Sequence, residues 1–271
     1  MAIKQQHNKL KEPTRPVQPQ DKLPQTGGQE GPGPQTDAKA LAPVQPAGLP
    51  MLNNDTRGFE EPVDQTDLII PRAKLVQPTS EEVSDPTFAL RAGAMINSLT
   101  KEAIAPQFVP IFYYKEYLRF NGRKPADPGY VAEVAPGALI WRTRDGNDQR
   151  VLAECGFGPD GETPLAITTL NFFSLFADSA MPLILSFGKT SYKAGKSLLS
   201  LAKLRGGAMF SRKYKLSVVP AKNDKGSYFV LKVDPCGDCD AEMFRTAESY
   251  FNQFAMKRDK LKTHVEDGEQ L

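Results

Sequence analysis

Residues 181–207 read Met181-Pro182-Leu183-Ile184-Leu185-Ser186-Phe187-Gly188-Lys189-Thr190-Ser191-Tyr192-Lys193-Ala194-Gly195-Lys196-Ser197-Leu198-Leu199-Ser200-Leu201-Ala202-Lys203-Leu204-Arg205-Gly206-Gly207. Met181 to Phe187 is an apolar run of strand length. Gly188 to Ser191 turns the chain. From Tyr192 to Leu204, Ala194, Leu198, Leu199, Leu201 and Ala202 recur at helical spacing, and Gly206-Gly207 is a helix stop. Beyond it, Tyr214 to Val219 returns to strand-like composition. One helix is thus inserted between neighbouring strands.

Outward from that unit, strands dominate. Asp67 to Val76 reads as a strand whose Pro71 marks an edge or bulge. Phe108 to Phe120 is β-rich and largely aromatic, and Ala138 to Arg144 ends at the turn dipeptide Asp145-Gly146. Leu165 to Phe176 is a further apolar run. Tyr214 to Val219 and Tyr228 to Val233 flank Asn223-Asp224-Lys225-Gly226, which predicts a hairpin with a turn of four or five residues. A second helix is predicted from Asp240, as N-cap, to about Leu261, with Phe244, Ala247, Phe251, Phe254 and Ala255 on one face. The expected class is therefore mainly β with α (α+β): an OB-like β-barrel of five or more strands, closed or nearly closed, with an inserted and a C-terminal helix.

Residues 1–57 contain no aromatic residue and repeat Pro, Gln and Gly, as in Gly27-Gly28-Gln29-Glu30-Gly31-Pro32-Gly33-Pro34. Such a segment buries too little apolar surface to offset its ordering entropy, so a disordered arm is expected. Residues 58–262 are expected to form a single domain, and residues 263–271 a short acidic tail. No apolar h-region or long apolar run is present, which predicts neither a secretory signal nor a membrane helix. Three cysteines argue against a disulfide framework and fit a reducing cytoplasm.

Charge is segregated. Ser179 to Asn223 contains no Asp or Glu but carries Lys189, Lys193, Lys196, Lys203, Arg205, Arg212, Lys213, Lys215 and Lys222. The whole chain has 34 basic and 32 acidic residues, so the remainder is net acidic and the formal +2 hides a local positive field. Phosphates are the commonest partner of such a field, and Tyr192 and Tyr214 beside the cations offer faces for base stacking. Lys193 and Lys196, three apart, share a helical face. Strand alternation aims Arg212 and Tyr214 to one side, with Lys213 and Lys215 to the other. A groove between helix and strand is therefore expected to bind DNA through Lys189, Tyr192, Lys193, Lys196, Arg205, Arg212, Lys213, Tyr214 and Lys215. The bland alternative is a solvated basic face, with Phe187 and Phe210 as core.

Other chemistries have less support. Gly195-Lys196-Ser197 resembles the end of a phosphate-binding P-loop, but Thr190 stands where the motif needs its first glycine. Cys236-Gly237-Asp238-Cys239 is half a zinc site, with only Cys155 and His264 left to complete it. Both histidines lie near the termini, far from any Ser or Cys partner. No catalytic residue, cofactor or metal is expected. Trp141, between Ile140 and Arg142, is expected in the core, with a stacking role as its alternative.

The runs Leu185 to Lys196, Met209 to Leu216 and Lys222 to Leu231 resemble proteins of tailed bacteriophages. From about Phe59 to the C-terminus, the chain is similar to the phage single-stranded DNA-binding group. That resemblance implies an OB-like barrel with an acidic tail, and a non-enzymatic role coating single-stranded DNA in replication or recombination, in the host cytoplasm. RNA is a neighbouring possibility, and the tail is the expected handle for replication or recombination proteins. The alternatives are a P-loop-like nucleotide enzyme and a virion or scaffold-type protein that sets its basic face on a protein partner.

Overall fold

The structure, a computed structural model, describes residues 69–256 except Pro86, Ala89, Ala180 and Lys225, together with Lys262 and Thr263. The expected arm at 1–57, and the acidic tail beyond Thr263, lie outside the described residues.

Proline sets the first boundary. Lacking an N–H, Pro71 splits the first extended run into β1 (Ile69–Ile70) and β2 (Arg72–Leu75). Next come α1 (Glu81–Ser84), β3 (Met95–Asn97), β4 (Gln107–Phe120) and β5 (Leu139–Thr143). The middle of the chain supplies α2 (Gln149–Glu154), β6 (Ile167–Phe176), β7 (Leu183–Phe187) and α3 (Tyr192–Arg205). The last elements are β8 (Arg212–Asn223), β9 (Gly226–Asp238), α4 (Ala241–Phe254) and β10 (Lys262–Thr263).

Eight strands form one mixed sheet in the order β3-β2-β7-β6-β4-β8-β9, with β5 also paired to β4. Strand β4 is long enough to hold two neighbours on one edge. Its start pairs with β8 at Gln107 and Phe108, and its end pairs with β5 from Tyr117 to Phe120. Only β2 and β7 run parallel in this sheet. The β8–β9 ladder continues to Asn223 opposite Gly226, so the hairpin turn is tighter than the four or five residues expected.

The α+β class holds, but the barrel does not close. No ladder joins β9 to β3 or β2 among the described residues. The outer edge of β9 is met instead by side chains. The Gln77 amide donates to the Phe229 carbonyl at 3.0 Å and accepts from the Phe229 N–H at 2.9 Å. Ser191 Oγ accepts from the Leu231 N–H at 3.2 Å. A carboxamide that bonds both groups of one residue does the work of a neighbouring strand, and it occupies the edge that a closing strand would need.

Both faces of the sheet are buried. On one, Leu198 of α3, with Leu199 and Leu201 beside it, packs near Phe172, Leu185, Phe187, Tyr214 and Leu216. On the other, Ala247 and Tyr250 of α4 cover Val109, Ile111, Phe112, Phe173 and Leu175. Asp240 caps α4, its carboxylate accepting from the Met243 N–H at 2.9 Å. A smaller core of Trp141, Val151 and Ala166 includes helix α2.

Gln77→Ala leaves the Phe229 N–H and carbonyl without their partners in a half-buried place. We expect a loss of about 1–3 kcal/mol in urea denaturation. Gln77→Glu, which keeps the acceptor and loses the donor, should fall between. A midpoint equal to wild type in Gln77→Ala would show that water replaces the amide at no cost.

Candidate nucleic-acid interface

Burial of one face of α3 decides what its other face can do. Gly195, Leu198 and Ala202 point into the core, while Lys193, Lys196, Ser197, Ser200, Lys203 and Leu204 are exposed. At 100° per residue these six lie within one outward sector, so Lys193, Lys196 and Lys203 line a single convex face. Among the described residues no ion pair joins them to a carboxylate, unlike Arg212 and Lys213 of the same acid-free run. The exposed Ser197 hydroxyl donates to the Lys193 carbonyl at 3.0 Å.

Lys189 stands at the start of this face. It lies in a short 3₁₀ turn between β7 and α3, with φ of +44°, a left-handed conformation unusual for a residue with a side chain. Its side chain reaches solvent, yet desolvation by the surrounding chain pulls its pKa below the usual lysine range, and the nearby Arg123 guanidinium pulls it further. Arg123 is thus part of the positive field. The sequence reading missed it because it belongs to the loop after β4, far from the basic run.

At the other end of α3, Arg205 and Arg212 both act on the Tyr214 hydroxyl. They come together there across the α3–β8 junction. The tyrosine itself is not available as a stacking surface: only 1 % of it is exposed, and its ring lies 6.0 Å from that of Phe108. Burial is also what raises its pKa. Alternation sets Tyr214 with Leu216 on one side of β8, and that side is the one the core and α3 cover. Tyr192 is half-buried and packs against the same core. Phe187 and Phe210 are core residues.

The remaining cations divide. Arg212 pairs with Asp238 at 2.8 Å, and Lys213 with Asp240, the α4 cap, at 3.4 Å. Lys215 is exposed on β8. The structure therefore assembles Lys189, Lys193 and Lys196, adds Lys203 and Arg123, and places Arg205 at the far end. It sets Lys213 toward α4 instead.

The P-loop likeness has a different cause. Gly195-Lys196-Ser197 lies in the body of α3, not in a loop ahead of a helix. A Cβ on Gly195 would stand 2.6 Å from Cβ and 2.9 Å from Cγ of Phe187, so the glycine lets α3 approach β7. Trp141 is buried as expected, its indole N–H donating to Glu154 at 3.0 Å. The three cysteines are free thiols, and burial holds Cys239 up to about 11. No cluster of three or more potential metal ligands occurs among the described residues. No helix among them is long and apolar enough to cross a membrane.

The family model of the Pam3 phage gp34-like proteins matches residues 36–260. The chain belongs to this phage family. No curated protein and no solved structure matches it. Membership extends over the whole described sheet and both major helices, and it also takes in part of the Pro-rich segment before β1.

Gly195→Ala sets two effects against each other. Helix propensity favours alanine by about 0.8–1 kcal/mol, while forcing a methyl onto Phe187 costs about 1–3 kcal/mol. The atoms it meets are the stem of a fully buried ring and cannot step aside, so the clash should win. We expect Gly195→Ala to lower the unfolding midpoint and Lys196→Ala to leave it unchanged. A P-loop-like role predicts the reverse pattern in a nucleotide-binding assay.

Proposed function

We propose that this phage-family protein binds nucleic acid through its phosphate backbone, with single-stranded DNA in phage replication or recombination as the ligand. The observation that carries the reading is the outer face of α3. Three exposed lysines lie in one sector with no carboxylate partner among the described residues, and Lys189 is held in a strained, partly desolvated position at its start. Both features favour an incoming polyanion. With Tyr192 and Tyr214 committed to the core, contacts run to phosphate and sugar, and base identity is not read.

A second reading has an observation of its own. Leu204 is 85 % exposed at the C-terminal end of the same face, between Lys203 and Arg205. An apolar side chain framed by cations suits a protein partner, as in a virion or scaffold-type role. Leu204→Ser separates the two, because it should weaken protein assembly and leave DNA affinity unchanged.

The deciding experiment is fluorescence anisotropy of a labelled oligo-dT across a salt series, with duplex as competitor. We expect log Kd to rise with log salt, and the slope to fall by about 0.7 for each phosphate contact removed by Lys193→Ala and Lys196→Ala. An unchanged slope removes α3 from the site. Equal displacement by duplex overturns the single-strand assignment, and absence of binding at low salt overturns the nucleic-acid reading.

A further inference from the structure

The sheet carries an exposed aromatic residue on the side that α3 covers. Tyr113 of β4 lies opposite Phe172 of β6, and their rings are 6.0 Å apart. Phe172 in turn meets Phe187 edge to face at 5.6 Å, and Phe187 is the residue against which Gly195 of α3 rests. Opposed residues of an antiparallel pair share a face, so Tyr113 belongs to the α3 side, two rings away from the helix. Phe112, its neighbour in the chain, goes to the other side and stacks on Phe173 at 4.8 Å. Tyr113 is nevertheless 38 % exposed, whereas Phe172 and Phe187 are fully buried. The register explains the difference. Strand β8 pairs with β4 only at Gln107 and Phe108, and β5 joins only from Tyr117. Between them that edge of β4 has no neighbouring strand among the described residues.

Lysines accompany this ring. Lys115, two residues on and therefore on the same face, is exposed. It lies opposite Leu170, and Leu170 lies opposite Phe187, which sets Lys115 two strands, about 10 Å, from Phe187. Two residues past Phe187 stands Lys189, where the face of Lys193 and Lys196 begins. Arg123, on the loop after β4, is close enough for its charge to act on Lys189. The start of α3 and the distal half of β4 are thus neighbours, and Lys189 and Lys115 carry the positive field of α3 across the sheet toward Tyr113. A cation beside an exposed aromatic face suits a base together with its phosphate. A duplex keeps the faces of its bases stacked on one another and cannot use such a surface.

We propose that Tyr113 is the base-stacking residue of the single-strand site, with Lys115 beside it as a phosphate contact. The inference rests on the nucleic-acid reading of α3 and adds the contact that selects a single strand over a duplex. Stacking is indifferent to which base is present, so it adds affinity without sequence preference.

The test compares a labelled oligo-dT with an abasic strand of equal length, by anisotropy across a salt series, on the full-length chain. Tyr113→Leu keeps apolar cover over Phe172 and removes the planar face. We expect it to raise Kd for oligo-dT about tenfold, with the salt slope unchanged and no effect on the abasic strand. Lys115→Ala should lower the slope by about 0.7 on both strands. Tyr113→Trp gives a readout that does not depend on the leucine variant folding. Its emission should be quenched by oligo-dT and not by the abasic strand, over the steady signal of the buried Trp141. Equal losses on both strands in Tyr113→Leu, or an unquenched Tyr113→Trp that still binds oligo-dT, overturn the stacking role. So does wild-type affinity in Tyr113→Leu, and if Lys193→Ala and Lys196→Ala still lower the salt slope, the reading of α3 stands without it. Absence of oligo-dT binding by the wild type at low salt overturns both.

Discussion

Strand β6 has no solvent side, and most of the architecture answers to that. From Thr169 to Phe176 every side chain is buried, with Leu170, Phe172 and Phe176 on one face and Phe173 and Leu175 on the other. Its partner β4 stacks Phe108 on Phe176 at 5.5 Å and Phe112 on Phe173 at 4.8 Å. A strand pair that is apolar on both faces must have cover on both. Helix α3 supplies it on one side and α4 on the other, so neither helix is free to be a mobile recognition element. What α3 presents to a partner is whatever remains after its inner face has been spent on Phe187 and Phe172.

That constraint explains which parts of the molecule were legible in the sequence. Strands β4, β6 and β7 and helix α3 announce themselves, because full burial demands unbroken apolar runs and a helical stripe. Pro71 and the glycines after Arg205 mark boundaries through local backbone chemistry alone, with Gly206 at φ of +72° where a side chain is disfavoured. Closure was different in kind. It turns on Gln77 meeting Phe229, 152 residues away, and a polar side chain in a loop gives no local sign that it will complete a sheet edge. The expectation of a barrel followed from strand order, and strand order does not reveal what sits at the edges.

The site was half legible for the same reason. A run without acids guarantees that cations within it lack sequence-local partners, so the exposed face of α3 could be anticipated. Tyr214 could not, because whether a strand tyrosine is a platform or a core residue depends on where a helix lands. Arg212 and Lys213 were counted as free cations, and Asp238 and Asp240 claim them only because β9 returns beside β8. Glu116 was overlooked altogether. It shares a face with Tyr114 and Leu118, an acid in register with buried residues, while Arg142 on the strand paired beside it and Arg144 just past that strand's end recur two apart. Period-two reading of charged residues in apolar strands is the pattern that finds such a network.

The two groups of cations, on α3 and around Tyr114, differ in their surroundings. On α3 the lysines are long and exposed, with no carboxylate partner among the described residues. Around Tyr114 the cations are arginines, partly buried, oriented by Glu116 and stacked on an aromatic ring. Arginine keeps its charge when buried, and Arg142 and Arg144 both meet the buried Glu116 carboxylate. Placement in the fold, on a convex helix in one case and within the sheet in the other, thus decides whether a cation faces solvent or is built into a network of the protein's own side chains.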